Sequence, residues 1–244
     1  MRLRVLGCGD AFGSGGRFNT CFHVSAGQTS FLLDCGASSL IAMRRFGVDP
    51  NAIRTVVLSH LHGDHFGGLP FLLLDAHLVS NRRDPLTIAG PPTLISRLHA
   101  LREVMFPGSA EIELKFHLEL LELDPETPVR VNEVEVTPFP VRHPSGAPSF
   151  ALRCELQGKT LCYSGDTEWV EVLAEAARNA DLFIAEAYTL ERTVPFHTSW
   201  TVLRKHLPEI GAKQVLLTHM SNDMLGDAEL DGAIRAHDGM VLDV

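Results

Sequence analysis

The sequence predicts an α/β sandwich in which two similar β-rich halves form facing sheets with helices outside. Three observations carry that prediction. The order of elements recurs, with a hairpin, a helix and an apolar strand over residues 20–59 and the same three over 150–185. Each hairpin ends in a polar turn, Asp34-Cys35-Gly36 in one half and Ser164-Gly165-Asp166 in the other. No low-complexity linker interrupts the 244 residues, of which 45% are hydrophobic and 21% charged, so a single domain spanning 1–244 with a sizeable core is expected.

The elements follow from local pattern. Residues 3–6 are a short apolar strand ended by Gly7-Cys8-Gly9, and Gly13-Ser14-Gly15-Gly16 extends that end into a glycine-rich loop. Residues 20–24 and 30–34 are strand-like runs separated by Ala26-Gly27-Gln28, hence a hairpin. Residues 40–46 read as a short helix, and 54–59 as a buried strand that delivers the chain to His60. A helix packed on a core is expected over 66–79, a strand over 86–88, and a helix over 93–105 beginning after Pro91-Pro92. Alternation predicts strands over 114–121 and 129–136, and a second hairpin joins 150–156 to 160–164 about Gln157-Gly158-Lys159. An Ala/Glu-rich helix over 168–178, a buried strand over 182–185, a helix over 198–207, a strand over 214–217 and a helix over 227–236 complete the chain.

Composition excludes several functions. Lys plus Arg total 21 against 30 for Asp plus Glu, a net charge of −9 and the wrong sign for a generic polyanion binder. Cys8, Cys21, Cys35, Cys154 and Cys162 are an odd set without CxxC spacing in a chain too large to need disulfide staples, so free thiols in a reducing compartment are expected. Residues 1–10 lack a signal peptide's charged and apolar regions, and the apolar run 69–74 is far shorter than the roughly 20 residues a bilayer span requires. Cytoplasmic placement follows. The apolar segment 66–79 is either core or a homodimer face.

Histidine is the compositional oddity, with 12 copies against 2 Trp and 2 Tyr. His60, His62, Asp64 and His65 fall in the run Ser59-His60-Leu61-His62-Gly63-Asp64-His65, directly after an apolar strand. Such nitrogen and carboxylate donors suit zinc and other first-row ions better than calcium or magnesium. At a strand end, His60 and His62 point to one side and Asp64 to another, with His65 completing a pair with Asp64. These residues cannot close two tetrahedral sites alone. His143, Asp166 and His219 each follow a strand-like segment and are the candidates for the remainder, with a turn-forming Asp166 and core histidines as the plainer alternative.

These residues resemble the metallo-β-lactamase superfamily, whose signature is H-x-H-x-D-H followed by a distant His, Asp and His. The resemblance runs from the Gly7-Cys8-Gly9 turn to His219 and implies a four-layer αββα sandwich of two facing mixed β-sheets flanked by helices. It further implies one metal held by His60, His62 and His143, a second held by Asp64, His65 and His219, and Asp166 bridging both. Asp181 to Ala187, then Phe196-His197-Thr198-Ser199 and Leu216-Leu217-Thr218-His219, resemble the tRNase Z and phosphodiesterase branch. There a Glu after the late strand pairs with a His before the next helix; here these are Glu186 and His197. The plainer alternative is an ordinary strand-end carboxylate and a neighbour of a helix cap.

Two departures bear on substrate. The tRNA-gripping arm that tRNase Z enzymes commonly carry between the third and fourth metal motifs is replaced by the 150–164 hairpin. Their basic N-terminal loop is replaced at best by residues 13–19. With the negative net charge, this argues against long nucleic acid, since phosphate contacts need clustered Lys and Arg.

The leading reading is a dinuclear metal-dependent hydrolase acting on a small or short phosphodiester. Two divalent ions, zinc first and manganese or iron on the same donors, would supply hydroxide at neutral pH and clamp the phosphoryl oxygens. Asp64 would accept the water proton, and Glu186 and His197 would serve the leaving group. Alternatives are a tRNA 3′-end endonuclease, and a lactone, thioester or β-lactam hydrolase on the same centre. A non-catalytic binding module is disfavoured because every candidate ligand is present. His23, His77, His99, His117, His206 and His237 have no ligand spacing and are read as bystanders, His23, on the strand nearest the glycine-rich loop, being the one placed to line the pocket if any does. The Gly13–Gly16 run lacks the Lys and Ser/Thr of a P-loop and is read as a flexible edge of the site.

Overall fold

In chain order the strands of the first half are β1 (Arg2–Gly7), β2 (Cys21–Ala26), β3 (Thr29–Leu33), β4 (Thr55–Val57), β5 (Leu86–Gly90) and β6 (Leu118–Glu122). Those of the second half are β7 (Val129–Val131), β8 (Val134–Val141), β9 (Ser149–Leu156), β10 (Lys159–Tyr163), β11 (Leu182–Glu186), β12 (Val215–Thr218) and β13 (Ile234–Arg235), and β14 (Val241–Asp243) ends the chain. Helices are α1 (Ser39–Arg45), α2 (Gly63–Phe66), α3 (Leu69–Leu78), α4 (Leu94–Met105), α5 (Val172–Ala176) and α6 (Trp200–Ile210). This computed structural model describes residues 1–226 and 229–244.

The strands form two seven-stranded sheets, ordered β14-β1-β2-β3-β4-β5-β6 and β13-β12-β11-β10-β9-β8-β7. Both are mixed. In the first, β14 to β3 pair antiparallel and β3 to β6 parallel. In the second, β7 to β10 pair antiparallel and β10 to β13 parallel. Three apolar clusters explain the layering. Val5, Phe22, Phe31 and Leu33 of the first sheet meet Val136, Phe150, Leu152 and Ile184 of the second. Leu32, Val56 and Ile88, on the outer face of the first sheet, are covered by Met43, Leu69, Leu73 and Leu98 from the helices. Phe183, Ala185 and Leu217 of the second are covered by Leu173, Trp200 and Leu203. Both sheets bury apolar side chains on both faces, and a four-layer αββα sandwich is the arrangement that allows it.

Several elements differ from expectation for identifiable reasons. The strand expected over 129–136 is the hairpin β7–β8, because Asn132 takes φ +53° and turns the chain. The helix expected over 66–79 breaks at Gly67-Gly68, where the Gly68 amide donates to the Cys35 carbonyl at 2.8 Å. The helix expected over 168–178 shrinks to α5, since the Thr167 amide is held by Glu186 and the Glu168 amide reaches the Arg142 carbonyl. Asp227 and Ala228, at the start of the helix expected over 227–236, lie outside the described residues. Its remainder is not helical: Asp231 and Gly232 both have positive φ, and Ile234–Arg235 pairs with β12.

The apolar segment 66–79 contributes Leu69, Leu72, Leu73 and Ala76 to the core and leaves Leu78 and Val79 exposed. All five cysteines are free and buried. No helix among the described residues is long and apolar enough to cross a membrane.

Candidate active site

Parallel strands bring their carboxyl ends to one edge, and the candidate residues follow such ends. Asp34 follows β3, and His60 to His65 follow β4. Asp166 follows β10, Glu186 ends β11 and His219 follows β12. His143 joins them because β8 and β10 both run antiparallel to β9 and so point the same way. Ligating atoms of His60, His62 and His143 lie within 4.8 Å of one another, as do those of Asp64, His65, Asp166 and His219. The two groups adjoin at Asp166, whose Oδ2 is 3.9 Å from both His60 Nε2 and His143 Nε2, 3.3 Å from His65 Nε2 and 3.1 Å from His219 Nε2.

Hydrogen bonds fix which ring nitrogens face the centre. His65 Nδ1 donates to Asp34 Oδ2 at 2.7 Å. His60 Nδ1 is 3.0 Å from Ser59 Oγ, which itself donates to Asp34 Oδ2 at 2.8 Å. His143 Nδ1 donates to the Phe196 carbonyl at 3.1 Å. Each contact engages Nδ1 and leaves Nε2 as the nitrogen facing the centre, and the Nε2 atoms of His60 and His65 and Oδ1 of Asp166 are buried without a hydrogen-bond partner. Orphaned buried donors and acceptors of this kind are costly unless something else binds them. His219 takes φ +53°, a left-handed conformation held by its amide donating to the Cys8 carbonyl at 3.1 Å.

The electrostatics have the same sense. Burial, reinforced by the neighbouring His65, pushes His60 well below its ordinary value, and burial with His143 lowers His62, so both rings stay neutral. Burial would lower His65 and His219 too, but Asp166 and its neighbouring carboxylates outweigh it, raising His65 well above normal and His219 to about 10. Burial would raise Asp64 and Asp166, yet His65 and His219 hold both far below the usual carboxylate range. The pocket floor is a buried anionic pair that draws positive charge to itself, and its nitrogen and oxygen donors fit divalent metal ions.

Beside this cluster, His197 Nδ1 donates to Glu186 Oε1 at 2.5 Å. Glu186 is buried, its Oε2 accepts the Thr167 amide at 2.7 Å, and its Oε1 lies 3.3 Å from His219 Nδ1. The hydrogen bond to Glu186 outweighs the effect of burial and raises His197 above its ordinary value. A cavity of about 340 Å³ opens over the site, lined by His62, Asp64, His143, Asp166, His197 and His219 together with Phe12 and Tyr188.

Every candidate residue is thus gathered at one end of the sandwich, where strands of both sheets end, and His23, read as a bystander, stays apart from it. It sits within β2, bonded through Nε2 to Ser30 Oγ at 2.8 Å, and does not line that cavity. The glycine-rich loop borders the site, tied down by Asp10, whose carboxylate accepts from the Ser14 amide at 2.9 Å and Ser14 Oγ at 2.7 Å. Asp34 had only a turn-former's signal in the sequence, yet it orients His65. Phe12, 83% exposed, and Tyr188, whose ring centre is 4.7 Å from that of His197, carried no signal beyond lying in loops.

The family described as Anti-Pycsar protein Apyc1 matches residues 1–238. The chain belongs to that family. It is 30% identical to an uncharacterized protein of Mycobacterium tuberculosis over 97% of this chain and 89% of that protein. Among solved structures it is similar to the short form of human tRNase Z, at 25% identity and TM-score 0.82 over 100% of this chain and 99% of that one. It is also similar to the metallo-β-lactamase fold protein YhfI of Bacillus subtilis, at 22% identity and TM-score 0.81 over 99% and 98%. This Apyc1-family chain therefore has the metallo-β-lactamase fold.

Proposed function

We propose that this chain is a dinuclear metal-dependent hydrolase that cleaves small or short phosphodiesters. The observation that carries the reading is the Glu186–His197 pair, 2.5 Å apart, with His197 lining the same cavity as both ligand groups. His60, His62 and His143 would hold one ion, Asp64, His65 and His219 the other, with Asp166 between them. When bound, such ions supply Lewis-acid activation of water and neutralise charge at the phosphoryl oxygens, and zinc suits the donors best. The chain's own groups do the rest. Asp64 takes a proton from the attacking water as its oxygen bonds to phosphorus. His197, charged and aimed by Glu186, gives a proton to the departing oxygen as its bond to phosphorus breaks.

Small substrates are supported by what surrounds the site. Arg17, the cation of the glycine-rich loop, is spent on the Ser14 carbonyl at 3.0 Å and on the Met220 carbonyl. The stretch between His143 and Asp166 is filled by the β9–β10 hairpin. The likeness to human tRNase Z favours a second reading, tRNA 3′-end cleavage. The deciding experiment measures metal per chain and hydrolysis of bis(p-nitrophenyl) phosphate before and after chelation, with precursor tRNA in parallel. About two ions with chelator-sensitive cleavage of the small diester alone supports the first reading. Two ions without phosphodiester cleavage transfers it to carbonyl substrates, and no metal overturns both.

A further inference from the structure

We propose that a second cavity, adjoining the first at His197, is the leaving-group subsite and takes a planar aromatic ring against Trp169. The proposal deepens the phosphodiesterase reading and rests on it. The two cavities meet at His197. The first holds both ligand groups; the second, of about 260 Å³, is lined by Glu168, Trp169, Val194, Pro195 and Thr198 as well as His197.

The chemistry of transfer places the leaving group there. Water oxygen bonds to phosphorus, the phosphorus–oxygen bond to the leaving group breaks, and the departing oxygen takes the proton from His197. Whatever is attached to that oxygen must therefore lie against His197, on the side away from the attacking water in an in-line displacement. The second cavity adjoins the first at that imidazole.

Its walls state the class of group it receives. Trp169 lies parallel on His206, with ring centres 3.8 Å apart and planes 9° from each other. Trp169 Nε1 donates to Glu171 Oε1 at 3.2 Å, which fixes the indole in its own plane. An aromatic ring already backed and pinned loses little freedom when another ring stacks on it, the condition for tight stacking. Val194 and Pro195 supply an apolar wall, and their loop is anchored by the His197 amide on the Val194 carbonyl at 3.2 Å and the Phe196 amide on Glu168 Oε2 at 3.2 Å. At the rim Glu168 Oε1 pairs with Arg142 at 3.2 Å, a carboxylate and a cation within reach of polar substituents on a heterocycle.

Trp169 also provides a readout independent of turnover. The other tryptophan, Trp200, at the start of α6, is buried at 2% exposure, so ligand-dependent quenching reports on Trp169. Metal-loaded protein is titrated with adenosine while tryptophan emission is followed, and hydrolysis of bis(p-nitrophenyl) phosphate is compared with that of bis(trifluoroethyl) phosphate. We expect saturable quenching in the natural protein and none in Trp169→Phe, whose remaining emission comes from Trp200. Trp169→Ala raises KM for the aryl diester about tenfold more than for the trifluoroethyl diester, and Trp169→Phe recovers most of that difference. Absence of quenching, or equal losses on both diesters, overturns the subsite while wild-type hydrolysis keeps the phosphodiesterase reading. Quenching by adenosine in a protein that hydrolyses neither diester overturns the leaving-group assignment together with that reading.

Discussion

Asp34 Oδ2 accepts a hydrogen bond from His65 Nδ1 at 2.7 Å, so a residue thirty-one positions earlier in the chain sets the orientation of a candidate ligand. The same oxygen accepts from Ser59 Oγ at 2.8 Å and Tyr163 OH at 2.9 Å, and Oδ1 accepts the Ser59 amide at 2.7 Å. Burial and the adjacent Asp34 raise Tyr163 well above its ordinary value, keeping the phenol a donor. Asp34→Asn turns an amide NH2 toward these donors or toward the Ser59 amide. The expected outcome is metal affinity lower by about 10- to 100-fold, read by competition with a chromophoric chelator, and stability lower by about 1–3 kcal/mol. Unchanged affinity with only a lower Tm would reduce Asp34 to a folding residue.

Gly36 is required for a close approach. A Cβ there would sit 2.1 Å from the Asp64 carbonyl and 2.6 Å from Asn19 Cβ, where the Cys35 amide also reaches the His65 carbonyl at 2.6 Å. Gly36→Ala must therefore push the ligand loop outward. A loss of about 1–3 kcal/mol is expected in urea unfolding, accompanied by weaker metal retention. Gly63→Ala is the control: its added Cβ would meet nothing within 4 Å, so its unfolding midpoint should barely move. Equal effects from the two substitutions would contradict the steric account.

What the sequence made legible was what neighbouring residues determine. The His60-to-His65 run reads from spacing alone, and the layered α/β architecture reads from a recurring order of elements. Asp34 could not be read as an orienting group, because its partners Ser59, His65 and Tyr163 come from distant segments that only sheet pairing unites. His143 was legible as a residue following a strand-like segment, but that β8 returns it to the same end as β10 is a topological fact with no local pattern. His23 illustrates the converse. Its lack of ligand spacing reads it as a bystander, and its strand register sets it opposite Arg4 and Leu32 within the sheet, away from the site. Residues 229–236 failed as a helix because two successive residues, Asp231 and Gly232, take left-handed conformations that composition did not announce.

The proposed function gives His197 a part in the chemistry and none in holding metal. It donates to Glu186, its ring lies 5.0 Å from that of His143 and 5.8 Å from that of His219, and it stands outside the two groups assigned to metal although its ligating atom also falls within 4.8 Å of those of Asp166, Glu186 and His219. His197→Ala is expected to lower phosphodiester kcat by about 10²- to 10⁴-fold, the usual contribution of a positioned general acid, with metal content per chain unchanged. Elemental analysis beside the kinetics tests both halves. Loss of metal in this variant would contradict its placement on the leaving-group side.

His23 makes a pH-dependent contribution that does not involve the active site. Burial, with Arg4 adding to it, lowers its imidazole from 6.5 to about 4. The unfolded chain therefore takes up a proton near pH 6.5 that the folded chain refuses until pH falls to about 4. The neutral ring's contribution is fully present above pH 6.5, declines between 6.5 and 4, and is lost below that window. The whole shift corresponds to at most about 3 kcal/mol. His23→Gln retains an amide able to meet Ser30 Oγ, which His23 contacts at 2.8 Å, and cannot titrate. Urea midpoints of the natural protein and the variant should therefore converge, or cross in the variant's favour, as the pH is lowered through this window. Parallel pH profiles for the two proteins would show that His23 titrates alike in the folded and unfolded chain, contrary to its burial.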